Sequence, residues 1–127
     1  MMPRLQRTLV RPAEISGFGL FTSQDVRVRI LPAPEHHGVA FQRVDLPGKP
    51  RIPALIRYVQ PGLRRTVLTR GAAQVQVVEH LLAALAGLRV DNCLVQMDAS
   101  EPPGGDGSSE AFVAALLDAG IREQSSR

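Results

Sequence analysis

The stretch "QVQVVEHLLAALAGLRVDN", Gln74 to Asn92, reads as an alanine-rich helical run followed by the start of a strand. Its large apolar residues recur at helical spacing: Val78, Leu81, Leu82, Leu85 and Leu88. At about 100° per residue these side chains form one stripe along a helix. The pattern predicts a helix over Val77–Leu88 that packs on a sheet through this stripe.

The other side of this helix carries one acid and one imidazole among small residues. These residues are Glu79, His80, Ala83, Ala84, Ala86 and Gly87. An exposed helix face normally carries long polar side chains, whereas small residues let a second surface approach closely. The composition therefore favours a face that another surface covers. The alternative is that alanine is simply the best helix former in an alanine-rich proteome.

Short apolar runs on both sides of this helix predict a sheet. "VRVRIL" (Val26–Leu31) alternates apolar residues with arginine, as a half-buried strand does, and it is expected to form a hairpin with "VAFQRVDL" (39–46). Further strand candidates lie around Thr8–Val10, at "LIRYVQ" (55–60), at "RTVLTR" (65–70) and at Val90–Met97.

Glycine and proline mark the boundaries between these elements. Ser16–Asp25 is predicted to be a glycine-rich turn, and Pro47–Pro53 is excluded from a central strand or a helix. A last helix is predicted over Ser109–Ala119, with Asp106 or Ser108 as its cap and Gly120 as its stop.

These elements predict an α+β fold in one domain, residues 1–127. The expected architecture is a single two-layer sandwich, a mostly antiparallel sheet of about five strands with two helices packed on one face. Residues 122–127 are expected to form a flexible tail.

Composition excludes several protein classes. Hydrophobic residues make up 44% of the chain, which argues against disorder, and no apolar run is long enough to cross a membrane. The single Cys93 excludes an internal disulfide, which predicts a cytoplasmic protein with Cys93 as a small core residue.

The net charge of +3 is too small to indicate a nucleic-acid-binding protein. Arg27 and Arg29 on one strand, with Arg43 close by, lack an aromatic platform or a recognition motif, so no nucleic-acid partner is expected. Only Lys49 is a lysine and the other fourteen basic residues are arginines. Arginine suits phosphate or carboxylate, but a codon bias explains the same excess.

Glu79 and His80 are the residues with the clearest chemistry. A catalytic zinc needs three protein ligands and an open position for water. His80 can supply one ligand, and Glu79, about 100° further round the helix, is better placed as a general base than as a second ligand. The other histidines, His36 and His37, lie in a proline-flanked turn and are expected to face solvent. The chain alone therefore lacks a complete zinc site.

Five blocks resemble a known family in its order: "QRTLVRPAEISGFGLFTS" (6–23), "LPAPEHHGVAFQRVDL" (31–46), "RRTVL" (64–68), "VEHLLAALAGLRVDN" (78–92) and "EPPGGDGSSEAFVAALLDAGI" (101–121). The chain resembles the first half of the zinc-dependent UDP-3-O-acyl-N-acetylglucosamine deacetylases (LpxC) of lipid A biosynthesis, the pathway that supplies lipopolysaccharide. The resemblance implies two similar α+β domains that meet through their helix layers, with the active site between them. It implies that Glu79 is the general base and that His80 is a zinc ligand. The remaining ligands, a histidine and an aspartate in an HxxxD motif, come from the second domain.

The chain departs from the family pattern at two positions. Phe21 stands where the family's glycine turn usually has a histidine near the site, a departure that argues against activity. Gly105 replaces a bulky apolar residue before Asp106-Gly107-Ser108. Asp106 and Ser108 are expected to be structural residues of this loop, and Phe21 to lie beside the site.

Two main hypotheses follow. The chain is half of a deacetylase, inactive alone, which a companion chain with the HxxxD half completes to hold zinc and a UDP-acyl-sugar. Alternatively, it is a non-catalytic relic or binding module of the same fold that self-associates as a homodimer through the Glu79/His80 helix face. A shortened gene product with a bare helix face is a third possibility. Two copies would bring two imidazoles and two carboxylates to a shared seam, where they could hold a metal.

Overall fold

A computed structural model describes residues 4–19, 24–60, 66–104 and 109–127. The strands are β1 Arg7–Leu9, β2 Ala13–Phe18, β3 Asp25–Pro32, β4 Val39–Arg43, β5 Arg51–Pro53, β6 Val59–Gln60, β7 Val67–Arg70, β8 Ala73–Gln76, β9 Cys93–Met97 and β10 Ile121–Glu123. The helices are α1 Glu79–Gly87 and α2 Glu110–Ala119, and a 3-10 turn covers Ile56–Tyr58. None of the helices in these ranges is both long and apolar enough to cross a membrane.

The main sheet has five strands in the order β2-β3-β9-β4-β5. Its strand pairs are antiparallel except β4 and β9, which run parallel. Two small sheets accompany it, β1-β10 and β6-β7-β8. The helices pack on the main sheet, so the predicted α+β fold with a five-stranded sheet is confirmed.

The predicted hairpin of β3 and β4 is wrong, because β9 lies between them. Cys93, Leu94 and Val95 are consecutive in β9 and all are buried. Successive residues of a strand point to opposite faces of the sheet. A strand whose consecutive residues are all buried is therefore covered on both faces, as a central strand is. In the sequence β9 is an apolar run, and such a run does not specify which strands pair with it.

The core lies between the sheet and the helices. In β3 the side chains of Val26, Val28 and Ile30 are buried, and Arg27 and Arg29 between them are exposed. One face of β3 therefore faces solvent while the other joins the core. Four large side chains of the two helices belong to the same buried cluster: Leu81, Leu85, Phe112 and Leu116.

Helix α1 buries a wider arc than the predicted stripe. Val78, Leu81 and Leu85 are buried as expected, while Leu82 and Leu88 are only partly buried. Ala84, which was predicted to lie on the opposite side, is 2% exposed. The reason is geometric: three residues beyond Leu81 is about 300°, so Ala84 lies only about 60° from Leu81, at the edge of the stripe. Ala83, Ala86 and Gly87 lie off the stripe, as predicted, and are exposed in this chain.

Several local predictions differ from the structure. The turn predicted at Ser16–Asp25 begins later, because β2 continues through Gly17 and Phe18. Residues 56–58 of the predicted strand at 55–60 form a 3-10 turn instead. Arg51–Pro53 is a strand at the sheet edge, where proline is tolerated. Gly120 ends α2 with φ 84°, as predicted for a helix stop.

The last residues, expected to form a flexible tail, are hydrogen bonded to the domain. β10 pairs with β1, and the buried Gln124 donates from Nε2 to the carbonyl oxygen of Ala33 at 3.0 Å. The carboxylate of Glu35 accepts from the backbone N–H groups of Ser125 and Ser126 and from the Ser126 hydroxyl. Polar contacts thus order this segment, and hydrophobic periodicity did not reveal them.

Two carboxylates paired with arginines are expected to make the stability of the fold depend on pH. The Arg43 guanidinium lowers the pKa of Asp45, and that of Arg4 lowers the pKa of Asp91, in both cases below the ordinary value of 3.8. A carboxyl group whose pKa is lower in the folded than in the unfolded state stabilises the fold at pH values above its unfolded pKa. This stabilisation is lost as the pH falls from about 4 through the folded-state pKa values. Because both pairs are partly exposed, we expect a combined loss on the order of 1 kcal/mol.

Urea unfolding at pH 7 and pH 3 measures this loss. Asp91→Asn should lower stability at pH 7 and reduce the difference between the two pH values. An unchanged difference in Asp91→Asn would contradict the assignment.

Candidate functional site

The start of helix α1 holds Glu79 and His80 at the helix surface. Both side chains are half-buried, and Glu79 is the first residue of the helix. The residue two before it, Val77, has a left-handed backbone with φ 56° although it is β-branched. Such a conformation costs about 1–3 kcal/mol and persists only where the surroundings enforce it. The entry to α1 is therefore a strained segment, and strained segments are concentrated at functional sites.

A backbone group orients the Glu79 carboxylate. Its Oε2 accepts a hydrogen bond from the N–H of Thr66 at 3.1 Å, and the carbonyl of Thr66 accepts from the N–H of Val77 at 2.9 Å. Thr66 directly precedes β7, so the small sheet β6-β7-β8 positions the backbone N–H that binds the carboxylate. The position of Glu79 in the first turn also favours its negative charge, because the N-terminal end of a helix is positive.

Two further loops reach the same end of the helix. The N–H of Gln76, at the end of β8, donates to the carbonyl of Ser100 at 2.7 Å. The N–H of Gly104 donates to the carbonyl of Phe18 at 2.8 Å, which links the 98–104 loop to the end of β2. Parts of four of the five resembling blocks, at 17–19, 66, 78–80 and 101–104, are thus joined to one another around the entry to α1.

A buried glutamate packs closely against the end of this glycine-containing loop. Glu101 is fully buried, and a Cβ placed on Gly19 would lie 2.1 Å from its Oε1. A Cβ on Gly17 would lie 3.0 Å from the Cβ of Pro103. Both positions therefore require glycine because a neighbouring side chain packs against the backbone there, and not because the backbone needs to be flexible. Sequence reasoning did not single out Glu101, Gly17 or Thr66, because nothing local indicates which distant backbone each residue contacts.

Gly19→Ala is expected to lower the free energy of unfolding by about 2–3 kcal/mol. The added methyl group would overlap a carboxylate that is enclosed on all sides, so the loop must shift. Gly87→Ala is the matched control, because nothing lies within 4 Å of its added Cβ and alanine favours the helix. Urea denaturation measures both variants. Equal stability of Gly19→Ala and the parent would show that the loop does not pack on Glu101.

His36 and His37 lie away from His80. The ring of the exposed His36 contacts Gln6 Nε2 through Nδ1 at 3.0 Å, and His37 is half-buried with Nδ1 2.9 Å from the carbonyl oxygen of Gly38. The N–H of Gly38 donates to Asn92 Oδ1, beyond the C-terminal end of α1. These histidines therefore belong to the opposite end of the helix, about 13 Å from its start. His36 is exposed as expected, whereas His37 is not fully so.

The donor set on this chain fits part of a zinc site. One imidazole and one carboxylate lie in consecutive positions of α1, and zinc accepts both kinds of ligand. Within residues 4–19, 24–60, 66–104 and 109–127, no three His, Cys, Asp or Glu side chains come together as a metal site. A zinc site that used this pair would therefore need further ligands from outside this part of the chain.

Three residues predicted for this region, Phe21, Asp106 and Ser108, lie outside the described residues. Ser109 occupies the N-cap position of α2 and makes no side-chain capping bond. A depression of about 640 Å³ opens nearby, but its lining does not include Glu79 or His80. It is lined by Ser16, Gly17, Asp25, Val26, Arg27 and Asp98.

The two helices contact each other, and each presents small apolar residues to solvent. The exposed positions are Ala83, Ala86 and Gly87 on α1 and Ala111, Ala114 and Leu117 on α2. Leu117 is 59% exposed, which is unusual for a leucine in a helix that packs on a core. We call this surface the alanine face. Its shape and composition allow another protein surface to approach closely.

Comparisons with known proteins agree with the sequence blocks. The profile of the UDP-3-O-acyl N-acetylglycosamine deacetylase family, LpxC, matches residues 6–127. The chain is 44% identical over 119 residues to a UDP-3-O-acyl-N-acetylglucosamine deacetylase of Myxococcus xanthus, and 46% identical over 120 residues to that of Xanthomonas euvesicatoria pv. vesicatoria. It is 45% identical over 119 residues to a bifunctional enzyme LpxC/FabZ of Chlorobaculum tepidum.

Each of these alignments covers 94% of this chain but a minority of the relative. The chain spans 38% of the Myxococcus protein, 40% of the Xanthomonas protein and 26% of the Chlorobaculum protein. The similarity therefore extends over one part of longer enzymes.

Proposed function

Because the chain belongs to the LpxC family of UDP-3-O-acyl-N-acetylglucosamine deacetylases, we propose that it supplies the general base and one zinc ligand of a deacetylase site in lipid A biosynthesis. Glu79 is the base and His80 is the ligand. The observation that carries the proposal is the position of this pair at the strained start of α1, where Thr66 orients the Glu79 carboxylate. A cytoplasmic location is part of the proposal, which the single buried Cys93 supports.

The proposed reaction is hydrolysis of the N-acyl amide of a UDP-acyl-sugar. Bound zinc would supply a Lewis acid for the amide carbonyl and a water of lowered pKa. Glu79 would accept a proton from the attacking water, and its hydrogen bond from the Thr66 N–H keeps the carboxylate in one orientation. An acid from outside the described residues protonates the leaving amine. The alanine face and its surroundings exclude bulk water once they are covered.

The site needs a second half that carries the HxxxD ligands, on the same polypeptide or on a separate one. The alanine face is where we place this half, because small side chains let a second helix layer approach closely enough to share a metal with His80. Leu117 would be buried by this contact. The lengths of the relatives support the proposal, since each extends well beyond the part that this chain matches.

Native mass spectrometry tests the proposal. The chain would be measured with and without zinc, alone and mixed with a polypeptide that carries an LpxC-type second half. We expect a complex that takes up one zinc and deacetylates a UDP-acyl-sugar, whereas the chain alone is inactive. A second half that binds with no gain of zinc or of activity would overturn the proposal.

Self-association through the alanine face is the second candidate, and the exposure of Leu117 favours it. Two copies would then cover each other's α1 and α2 without any deacetylase activity. Leu117→Asp should dissociate such a dimer in sedimentation velocity. A homodimer whose formation does not depend on zinc, Glu79 or His80 would support a binding module rather than an enzyme.

A further inference from the structure

Charge is distributed very unevenly along the chain. Residues 46–78 contain six basic residues and no acidic residue, a net charge of +6. The rest of the chain contains nine basic and twelve acidic residues, a net charge of −3. We call residues 46–78 the basic lobe. It comprises β5, the 3-10 turn and the sheet β6-β7-β8.

Two arginines of the basic lobe lie beside one tyrosine ring. The guanidinium carbon of Arg57 lies 5.7 Å from the centre of the Tyr58 ring, and that of Arg70 lies 5.6 Å from it. Arg70 also donates from Nη1 to the carbonyl oxygen of Arg51 at 3.3 Å. Within the described residues neither Arg57 nor Arg70 has an ion pair with a carboxylate. The ring therefore holds two cations in place without neutralising them.

Apolar side chains stand exposed in the same place. Ile56 is 91% exposed, Val59 is 47% exposed and Leu55 is 45% exposed. These are three of the six large apolar side chains that are exposed in the described part of the chain, and they lie within five consecutive residues. The 3-10 turn Ile56–Tyr58 between β5 and β6 has no buried residue. We call residues 55–59 the tip of the lobe.

We propose that the tip of the basic lobe binds the surface of a membrane that contains anionic lipids. Arg57 and Arg70 would contact phosphate groups of the lipid headgroups, while Ile56 and its neighbours enter the boundary between headgroups and acyl chains. Tyr58 suits this boundary because it has an apolar ring and a polar hydroxyl. A free phosphate would account for the arginines but would leave the exposed Ile56 unexplained. Both features together match a peripheral membrane contact.

The contact leaves the candidate site accessible. β7 runs from Val67 beside Thr66 to Arg70 beside Tyr58, so the tip and the Glu79 carboxylate lie at opposite ends of the small sheet. At ~3.3 Å per residue this separation is about 13 Å. The inference stands on the lobe alone and does not rest on the proposed deacetylase function.

Vesicle sedimentation tests the inference with the purified chain. One set of vesicles contains equal parts of phosphatidylglycerol and phosphatidylcholine, and the other contains phosphatidylcholine alone. We expect binding to the first set only, with strong weakening as salt is raised from about 0.05 M to 0.5 M, because screening removes the charge contribution. Equal binding to both sets, or to neither, would overturn the inference.

Variants separate the two parts of the contact. Arg57→Gln combined with Arg70→Gln should weaken vesicle binding about 25-fold, at about fivefold for each cation. Ile56→Asp should weaken it about tenfold or more. Arg122→Gln is the matched control, because it removes one cation from an exposed residue elsewhere, and it should bind vesicles as the parent does. Thermal unfolding of each variant checks that the fold is retained.

Binding partners of other kinds would give different results in the vesicle experiment. Displacement of the chain from vesicles by UDP at equal phosphate concentration would assign the arginines to a nucleotide, and the membrane contact would be wrong. Binding to soluble polyglutamate without any binding to vesicles would assign the lobe to an acidic protein. Either result is distinguishable from failure of the deacetylase proposal, because no activity enters the measurement.

Discussion

His80→Ala should abolish zinc binding in the assembled complex, whereas Glu79→Gln should keep the zinc and lower kcat by about 10²–10⁴-fold. The two expectations differ because the adjacent side chains have different roles. In the proposed site the imidazole of His80 would hold the metal, so its removal would leave too few ligands. The Glu79 carboxylate is bound by the Thr66 N–H and would accept a proton there, and glutamine has the same shape but cannot do so.

Metal content by mass spectrometry and turnover of a UDP-acyl-sugar are measured on the same samples. His36→Ala is the matched control, because this exposed histidine contacts Gln6 beyond the other end of α1. It should change neither zinc content nor kcat. Zinc retained in His80→Ala, or full activity in Glu79→Gln, would show that the pair is not part of the site.

Asn92→Ala should lower the free energy of unfolding by about 3 kcal/mol, through loss of a buried polar network. Asn92 is 2% exposed, and its Oδ1 accepts from the N–H of Gly38 at 2.8 Å. Its Nδ2 donates to Gln124 Oε1 at 2.7 Å and to Gln6 Oε1 at 3.0 Å. Alanine would leave the Gly38 donor and the Gln124 acceptor buried without these partners.

Urea denaturation and the melting temperature measure this effect, and we expect a decrease in Tm of about 10 °C. Gln96→Ala is the control, because Gln96 also donates from its amide, to Gln42 Oε1 at 3.0 Å, but on the solvent-facing side of the sheet. Its loss should cost less than about 1 kcal/mol. Equal effects of the two substitutions would mean that the Asn92 network does not hold the segment after β10 to the domain.

Elements with strong periodicity were predicted well from the sequence. The alternation in β3 identified its buried and exposed faces, and the spacing of Leu81 and Leu85 identified the inner side of α1. Partners that come from distant parts of the chain were not predicted. Nothing near Glu101 in sequence indicates Gly19, and nothing near Thr66 indicates that its N–H binds Glu79.

Short segments with mixed signals were predicted least well. Residues 55–60 are apolar enough for a strand, but only Val59–Gln60 pairs with β7, and the three residues before them turn outward. The last residues are polar and follow a helix-ending glycine, which resembled a tail. Their order comes from the Glu35 carboxylate and from Asn92, both more than thirty positions away in sequence.

The sequence by itself determined the α+β class, the helix that carries Glu79 and His80, and the family, because these depend on periodicity and on short blocks of residues. Only the tertiary structure decided that β9 separates β3 from β4, that Glu101 packs against Gly19, and that the basic lobe exposes Ile56 beside Arg57 and Arg70. The physical reason is that local propensity and amphipathic pattern are properties of neighbouring residues. Strand order, close approach and surface clustering depend on which distant residues meet when the core is buried.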